Sequence, residues 1–361
     1  MMSARRTALL AVVVLFVGGL AACGANDDDS GDSGGDGGGG GGKQIALLLP
    51  ESQTTRYEAF DRPLFEDKVA ELCDDCEVVY FNADQDENKQ ADQVDSAISQ
   101  GVDVIVLDPV NGESAASKVA DAQAEEIPVI AYDRFIEGAD YYMSFDNETV
   151  GQLQAEALVE ATGGEGDILM LNGSPDDPNA AQFKEGAHSV LDESGLNIVA
   201  EYDNPDWSPE NAQQFTSDQL DTIDDPSTLA GVYAANDGQA GGVIAALTEA
   251  GLDPSELPPV TGQDSELAAI QRIVAGEQYM TINKPYPIEA ETAAETAVKI
   301  VNGDDVTDTT DFQGVKSFIF DPVVVTVDTI KDTVVADGLY TVEDICTADY
   351  ADACTEAGLE A

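Results

Sequence analysis

From Lys43 onward the chain alternates short apolar runs with longer amphipathic stretches. Ile45-Ala-Leu-Leu-Leu49 has no polar residue and reads as a strand buried on both faces. The stretch that follows, to about Leu72, puts Phe60, Leu64, Phe65 and Val69 on one helical face. The pattern then predicts strands at 77–81, 102–107 and 129–132, with helices at 88–100 and 112–125 between them. After a strand at 141–145 the rhythm restarts. Helices at 148–161, 179–191, 209–220, 240–250 and 265–275 alternate with strands at 167–171, 198–202, 231–235 and 260–262. A last group follows: a segment at 281–285, a helix at 288–301, a loop at 302–309, strand-like runs at 318–322 and 323–326, and a helix near 329–336. Apolar strands separated by helices predict an α/β fold of two doubly wound parallel-sheet domains in series. The late elements complete both sheets if the chain crosses between domains more than once. A multi-crossing hinge of that kind suits closure on a ligand.

The segment before Lys43 has a different pattern. Arg5 and Arg6 precede an apolar run, Ala8 to Val17, which ends in Leu20-Ala21-Ala22-Cys23. This reads as a secretory signal peptide with a lipobox, cleaved before Cys23, whose thiol then takes a lipid. The run is too short for an ordinary membrane-spanning helix. Residues 26–42 are Asp, Ser and Gly almost throughout and end in six glycines. They have nothing to bury and predict a disordered tether. A Gly-rich chain of about 20 residues spans roughly 25 Å.

Charge narrows the partners. The chain holds 71 Asp and Glu against 15 Lys and Arg, a net charge of -56. Nucleic acid is excluded, because no basic patch exists to neutralise phosphates. Self-repulsion at this charge weakens the compact state in dilute salt, which suggests adaptation to saline surroundings. After Cys23 only Arg56, Arg62, Arg134 and Arg272 remain, so their positions carry information. Beyond Cys23 the cysteines are Cys73, Cys76, Cys346 and Cys354. Four in an exported chain read as two disulfides, and local pairing is the simplest of three connectivities. Asp74 and Asp75, inside the Cys73–Cys76 spacing, disfavour a thiolate and hence a redox centre. The single histidine, His188, lies far from them, so no metal site is expected.

In open parallel sheets, ligands bind beyond the carboxyl ends of the strands. Those positions hold Arg56, Tyr57, Asp61 and Arg62 after the first strand, and Tyr132-Asp133-Arg134 after the fourth. In the second domain they hold 172–179 (including Asp177 and Asn179), Asp206-Trp207, Asn236-Asp237 and Gln263-Asp264, with Lys284 at a crossing. Planar amides, carboxylates and guanidinium groups satisfy hydroxyls as donor and acceptor together, and aromatic faces cover C–H patches, so the set suits a sugar. Asp177 and Asn236 also fit helix N-caps. No G-x-S-x-G elbow joins a strand to a helix, and no G-x-G-x-x-G follows the first strand, so an exported enzyme finds little support and no cofactor is expected.

At these residues the chain resembles the periplasmic sugar-binding proteins of bacterial ABC importers, the type I (periplasmic binding protein-like I) group. The matching stretches are Gly101-Val-Asp-Val-Ile-Val, Ile130-Ala-Tyr-Asp-Arg-Phe, Ser144-Phe-Asp-Asn-Glu, Trp207-Ser-Pro-Glu-Asn, Ala235-Asn-Asp-Gly-Gln-Ala-Gly-Gly, Gly262-Gln-Asp and Lys284-Pro. Ala-Tyr-Asp-Arg together with Trp-x-Pro-Glu-Asn resembles the xylose branch more than the ribose or galactose branches. The resemblance implies that Arg56, Asp133, Arg134, Asn179, Asn236, Asp264 and Lys284 hydrogen-bond a monosaccharide, xylose or a similar aldopentose. It implies that Trp207 and Tyr57 sandwich the ring, with Tyr57 where the family usually has Trp. It also implies a monomer that delivers its sugar to an ABC permease and ATPase from the outer face of the membrane. A sensor of another pentose or hexose, signalling to a membrane kinase or chemoreceptor, would share this fold. The division expected is 1–22 signal, 23–42 anchor and tether, 43–146 plus 285–319 N-terminal domain, 147–284 plus 320–345 C-terminal domain, and a 346–361 tail.

Overall fold

The computed structural model describes residues 42–359. The signal segment, Cys23 and all but the last residue of the tether lie outside the described residues.

Strand β1 (Lys43–Leu49) is central because its apolar run has cover on both faces. Alternation sends Ala46 and Leu48 to one apolar cluster and Ile45, Leu47 and Leu49 to the other. Helices α2 (Glu87–Gln100) and α3 (Gly112–Ala124) cover the first face; α1 (Arg62–Leu72) and α9 (Tyr286–Asn302) cover the second. Around β1 lie β2 (Cys76–Asn82), β3 (Val104–Leu107), β4 (Val129–Tyr132) and β5 (Tyr141–Phe145). With β10 (Thr310–Phe312) and β11 (Val315–Phe320) added from late in the chain, the sheet has seven strands, ordered β10-β11-β5-β4-β3-β1-β2. All its pairs are parallel except the edge hairpin of β10 with β11.

The second lobe centres on β6 (Glu165–Asn172), flanked in parallel by β7 (Gly195–Asp203) and β8 (Gly231–Ala234). Val260 bridges Val232 of β8. The chain beyond it reaches β9 (Thr281–Asn283) through Ile282 N–H donating to Gly262 C=O at 3.1 Å and Asp264 N–H donating to Ile282 C=O at 2.9 Å. Strand β12 (Val323–Val325) closes the edge antiparallel to β9. Helices α4 (Asn147–Thr162), α5 (Pro178–Leu191), α6 (Pro209–Leu220), α7 (Asp237–Glu249) and α8 (Leu267–Ala275) complete this lobe. The chain passes between lobes after β5, between β9 and α9, and between β11 and β12.

Four segments differ from the sequence pattern. The run at 260–262 makes one bridge rather than a strand, because Pro258 and Pro259 cannot donate to a ladder. The helix near 329–336 is one 3₁₀ turn, Ile330–Asp332. Threonine hydroxyls compete for its main chain there: Thr333 Oγ1 donates to Thr329 C=O at 2.7 Å, and Thr326 N–H donates to Thr329 Oγ1 at 2.9 Å. Strand β10 lies between the loop and strand-like run the pattern predicts; Gln313 and Gly314, with φ of 51° and 88°, make the tight turn it needs. The tail forms two short helices, α10 (Val342–Ile345) and α11 (Ala351–Glu356). Ile345, Cys354 and Leu359 bury themselves with Tyr286, Tyr340 and α8, and Phe60 and Leu64 of the first lobe pack on the same cluster. Cys73 stands against Cys76, and Cys346 against Cys354, each pair in disulfide geometry.

Candidate functional site

The carboxyl ends of both sheets face one narrow cavity, lined by the nine residues that the family resemblance assigns to the sugar: Arg56, Tyr57, Asp133, Arg134, Asn179, Trp207, Asn236, Asp264 and Lys284. Thr54, Asp177, Phe183 and Gln263 line it too. Both lobes contribute, and they touch. Asn179 Nδ2 donates to Asp133 C=O at 3.0 Å, Arg134 Nε lies 2.9 Å from Asp177 Oδ2, and Thr55 N–H donates to Glu266 Oε1 at 3.2 Å. The cleft is therefore closed.

Local sequence explains how the side chains are aimed. After β1, the carboxylate of Glu51 folds back to accept from Thr54 N–H, which shapes the loop carrying Arg56. A π-helical turn, Tyr57–Asp61, then brings Asp61 under Arg56; extra-residue turns of this kind recur at functional sites. After β4, Asp133 takes φ of 55° and Arg134 N–H donates to Tyr132 C=O, a sharp bend that sends neighbouring side chains to different partners. Asp177 and Asn236 do act as N-caps of α5 and α7, so the capping and lining roles coexist. Trp207 seats its ring where a Cβ on Gly173 would lie 2.1 Å from it, and its Nε1 donates to Asp177 Oδ2 at 3.0 Å. Ten described non-glycine residues have positive φ, and five of them (Asp133, Asp206, Trp207, Asp264 and Ser265) stand at or beside the cavity. Strain of this kind concentrates where geometry serves a ligand.

The charges interlock. Arg56 donates to Asp61 at 2.8 and 2.9 Å, to Glu289 Oε2 at 2.8 Å and to Asp133 Oδ1 at 3.2 Å. Lys284 Nζ lies 2.9 Å from Asp264 Oδ1. Arg134 donates to Pro109 C=O at 3.1 Å and to the Tyr57 hydroxyl at 3.3 Å. Burial pushes the Asp133 carboxyl up, but the charges of Arg56, Lys284 and Arg134 outweigh it and hold it below the usual range. At Asp108 and Asp177 burial wins over Arg134, and both are raised. Asn179 Oδ1 and Gln263 Oε1 are buried without a protein partner. Buried polar atoms of this kind need a polar partner, which a neutral polyhydroxyl ligand can supply.

Arg62 is a correction to the strand-end reading. It stands on the surface between Glu58 and Glu66 and over the Tyr80 ring, outside the cavity. In a chain this acidic, an arginine is also useful as a surface counterion. Arg272 is structural, holding Asp237 C=O and Gln278. Asp237 faces away from the cavity, toward Thr281, Gln278 and the N–H of Glu266. His188 pairs with Asp192 and Glu201 and does not line the cavity. Among the described residues one compact group of potential metal ligands occurs, Cys73, Asp75 and Cys76, and there the two sulfurs engage each other. Among the described residues no helix is long and apolar enough to cross a membrane.

The family described as periplasmic binding protein domain matches residues 45–305. The chain belongs to this family. It is 38% identical over 307 residues to the D-xylose-binding periplasmic protein of Escherichia coli, covering 82% of this chain and 91% of that protein. It is 33% identical over 288 residues to the multiple sugar-binding periplasmic receptor of Rhizobium radiobacter, covering 73% and 81%. Its structure matches an ABC transporter solute-binding protein from Clostridium phytofermentans with bound β-D-glucose. That match has a TM-score of 0.73 and 29% identity, and covers 84% of this chain and all of that one. The resemblance of the sequence to sugar-binding periplasmic proteins is thus correct at the level of family and fold, and the chain is a binding protein rather than an enzyme.

In this periplasmic binding protein, the sequence did not mark Phe183, which lines the cavity, nor Asp108 and Glu289, which stand behind it against Arg134 and Arg56. Asp108 follows β3 and obeys the strand-end rule that found the others. Phe183 lies one turn beyond Asn179 on α5, on a face that reads as core. Glu289 lies inside α9, where nothing in the sequence marks it out.

Proposed function

We propose that this protein is a lipid-anchored, extracytoplasmic receptor that closes on a monosaccharide, D-xylose, and delivers it to an ABC permease and its ATPase. The supporting observation is the cavity itself: nine residues chosen for sugar chemistry, drawn from both lobes, line one closed space. Each lobe holds part of the site, so a ligand that touches both favours the closed form by differential contact. Asp133, Arg134, Asn179, Asn236, Asp264, Arg56 and Lys284 would hold hydroxyls, and Trp207 with Tyr57 would cover the ring. The relatives named for xylose and for several sugars support this ligand class. The anchor would be a lipid on Cys23, the two lobes would rotate about the three crossings, and the protein would act as a monomer. Oxidised Cys73–Cys76 and Cys346–Cys354 pairs fit an exported chain.

Titration calorimetry with xylose, ribose, arabinose, glucose and galactose tests the reading. Micromolar or tighter binding of xylose above the others is expected. Silence with every sugar in a folded sample refutes it. Mass spectrometry of the membrane-extracted protein should find a diacylglyceryl group on Cys23; a free, uncleaved N-terminus would reject the anchor.

A further inference from the structure

A guanidinium group has five N–H groups in one plane and two flat faces. At Arg56 the protein uses nearly all of them. Nε and Nη2 donate to the two oxygens of Asp61, and Nη2 donates also to Glu289 Oε2. The Tyr286 ring covers the plane, with its centroid 4.6 Å from Arg56 Cζ. Nη1 bonds only Asp133 Oδ1, at 3.2 Å, long for a charged pair, and keeps its second N–H for a ligand in the cavity that Arg56 lines. Tyr286 and Glu289 are both fully buried and stand three residues apart at the start of α9, just after the crossing that carries Lys284. The Tyr286 hydroxyl donates to the main-chain carbonyl of Asp264, in the other lobe. Glu289 Oε1 has no partner. Burial and the nearby Asp133 push the Glu289 carboxyl well above its usual range, and a buried acid with an unpartnered oxygen is unfavourable for stability, so its retention calls for another reason.

We infer that Tyr286 and Glu289 are positioning residues that act through Arg56. They hold its guanidinium so that Nη1, which reaches Asp133, stays presented to the sugar as well. They also tie Arg56 to the crossing segment that supplies Lys284. The inference rests on the reading of Arg56 as a sugar contact.

The test compares E289Q, E289L, R56K and E289L/R56K by thermal melting and by xylose calorimetry on the purified full chain. E289Q keeps an acceptor for Nη2 and should bind within about threefold of the parent. E289L should weaken binding roughly tenfold, the scale of one hydrogen bond to a charged group, with thermal melting confirming that the variant is folded. In the R56K background the E289L change should have no further effect on affinity, because the guanidinium it positions is gone. If E289L does not fold, E289M is measured in its place. A folded E289L that binds like the parent overturns the inference, as does an equal loss in both backgrounds. A parent that binds no sugar from the panel instead refutes the reading of the site, and the positioning role falls with it.

Discussion

At Asp133 three requirements meet: a left-handed backbone, a contact to Arg56 and a carbonyl that receives Asn179 from the opposite lobe. Asp133→Ala removes one partner of a buried charge pair, so sugar affinity should fall by about 100-fold in calorimetry. Unchanged affinity would remove Asp133 from the site. Glu266 allows a prediction about pH. Chiefly through burial, its carboxyl is pushed up from 4.5 to about 7. A carboxyl that holds its proton more tightly when folded contributes stability fully below about pH 4.5, and that contribution is lost as the pH rises through about 7. Glu266→Gln should therefore melt later than the parent at pH 8 and differ little from it at pH 4. Equal melting temperatures at both values would contradict this. Residues were legible where chain position dictates chemistry: Asp133 and Arg134 after β4, and Asn236 after β8, follow strands that end at the cleft. Glu289 was not, because an acid inside a helix of a chain with 71 acids carries no signal. Arg62 misled for the complementary reason, since its neighbours Glu58 and Glu66 already explain it.

Between elements, the second lobe depends on glycines at one helix crossing. A Cβ on Gly151 of α4 would lie 1.9 Å from Phe183 C=O, and one on Gly186 of α5 would lie 2.1 Å from Glu148 C=O. The two helices therefore touch backbone to backbone, and α5 carries Asn179 and Phe183 into the cavity from that contact. Gly151→Ala should force the helices apart, costing about 1–3 kcal/mol of stability, and should weaken sugar binding through the displaced α5. Chemical denaturation and calorimetry on the same variant check both; a loss of stability with intact affinity would mean α5 re-seats without moving its first turn. Elements with strong periodicity were readable from the sequence, as β1 and α4 illustrate. The failures share a physical cause: local side-chain hydrogen bonds and prolines override the apolar pattern. Thr329 and Thr333 do so in the turn after β12, and Pro258 and Pro259 before Val260. The tail could not be read because its core is assembled from distant pieces, Phe60, Tyr286 and α8, that only the folded chain brings together.

On the scale of the whole molecule, the net charge of -56 and the neutral ligand chemistry of the cleft make separate demands. Outside the cleft some cations serve several acids: Lys68 lies within 4 Å of Glu71, Glu291 and Glu295, and Lys184 of Glu201 and Asp203. The remaining surface carboxylates repel one another across water, where salt shortens the reach from about 10 Å at 0.1 M to about 3 Å at 1 M. Inside the cleft the pairs of Arg56, Arg134 and Lys284 are all nearly inaccessible to solvent, and buried pairs are screened much less. Potassium chloride should thus raise the melting temperature between 0.1 M and 2 M while leaving the dissociation constant for the sugar within about threefold. Chloride is the suitable anion, because sulfate would also strengthen burial of apolar surface and confuse the two effects. A melting temperature that stays flat or falls would show that surface repulsion is already balanced. An affinity that follows the stability would show that closure itself brings repelling surfaces together, which places the charge in the hinge motion and not only in the fold.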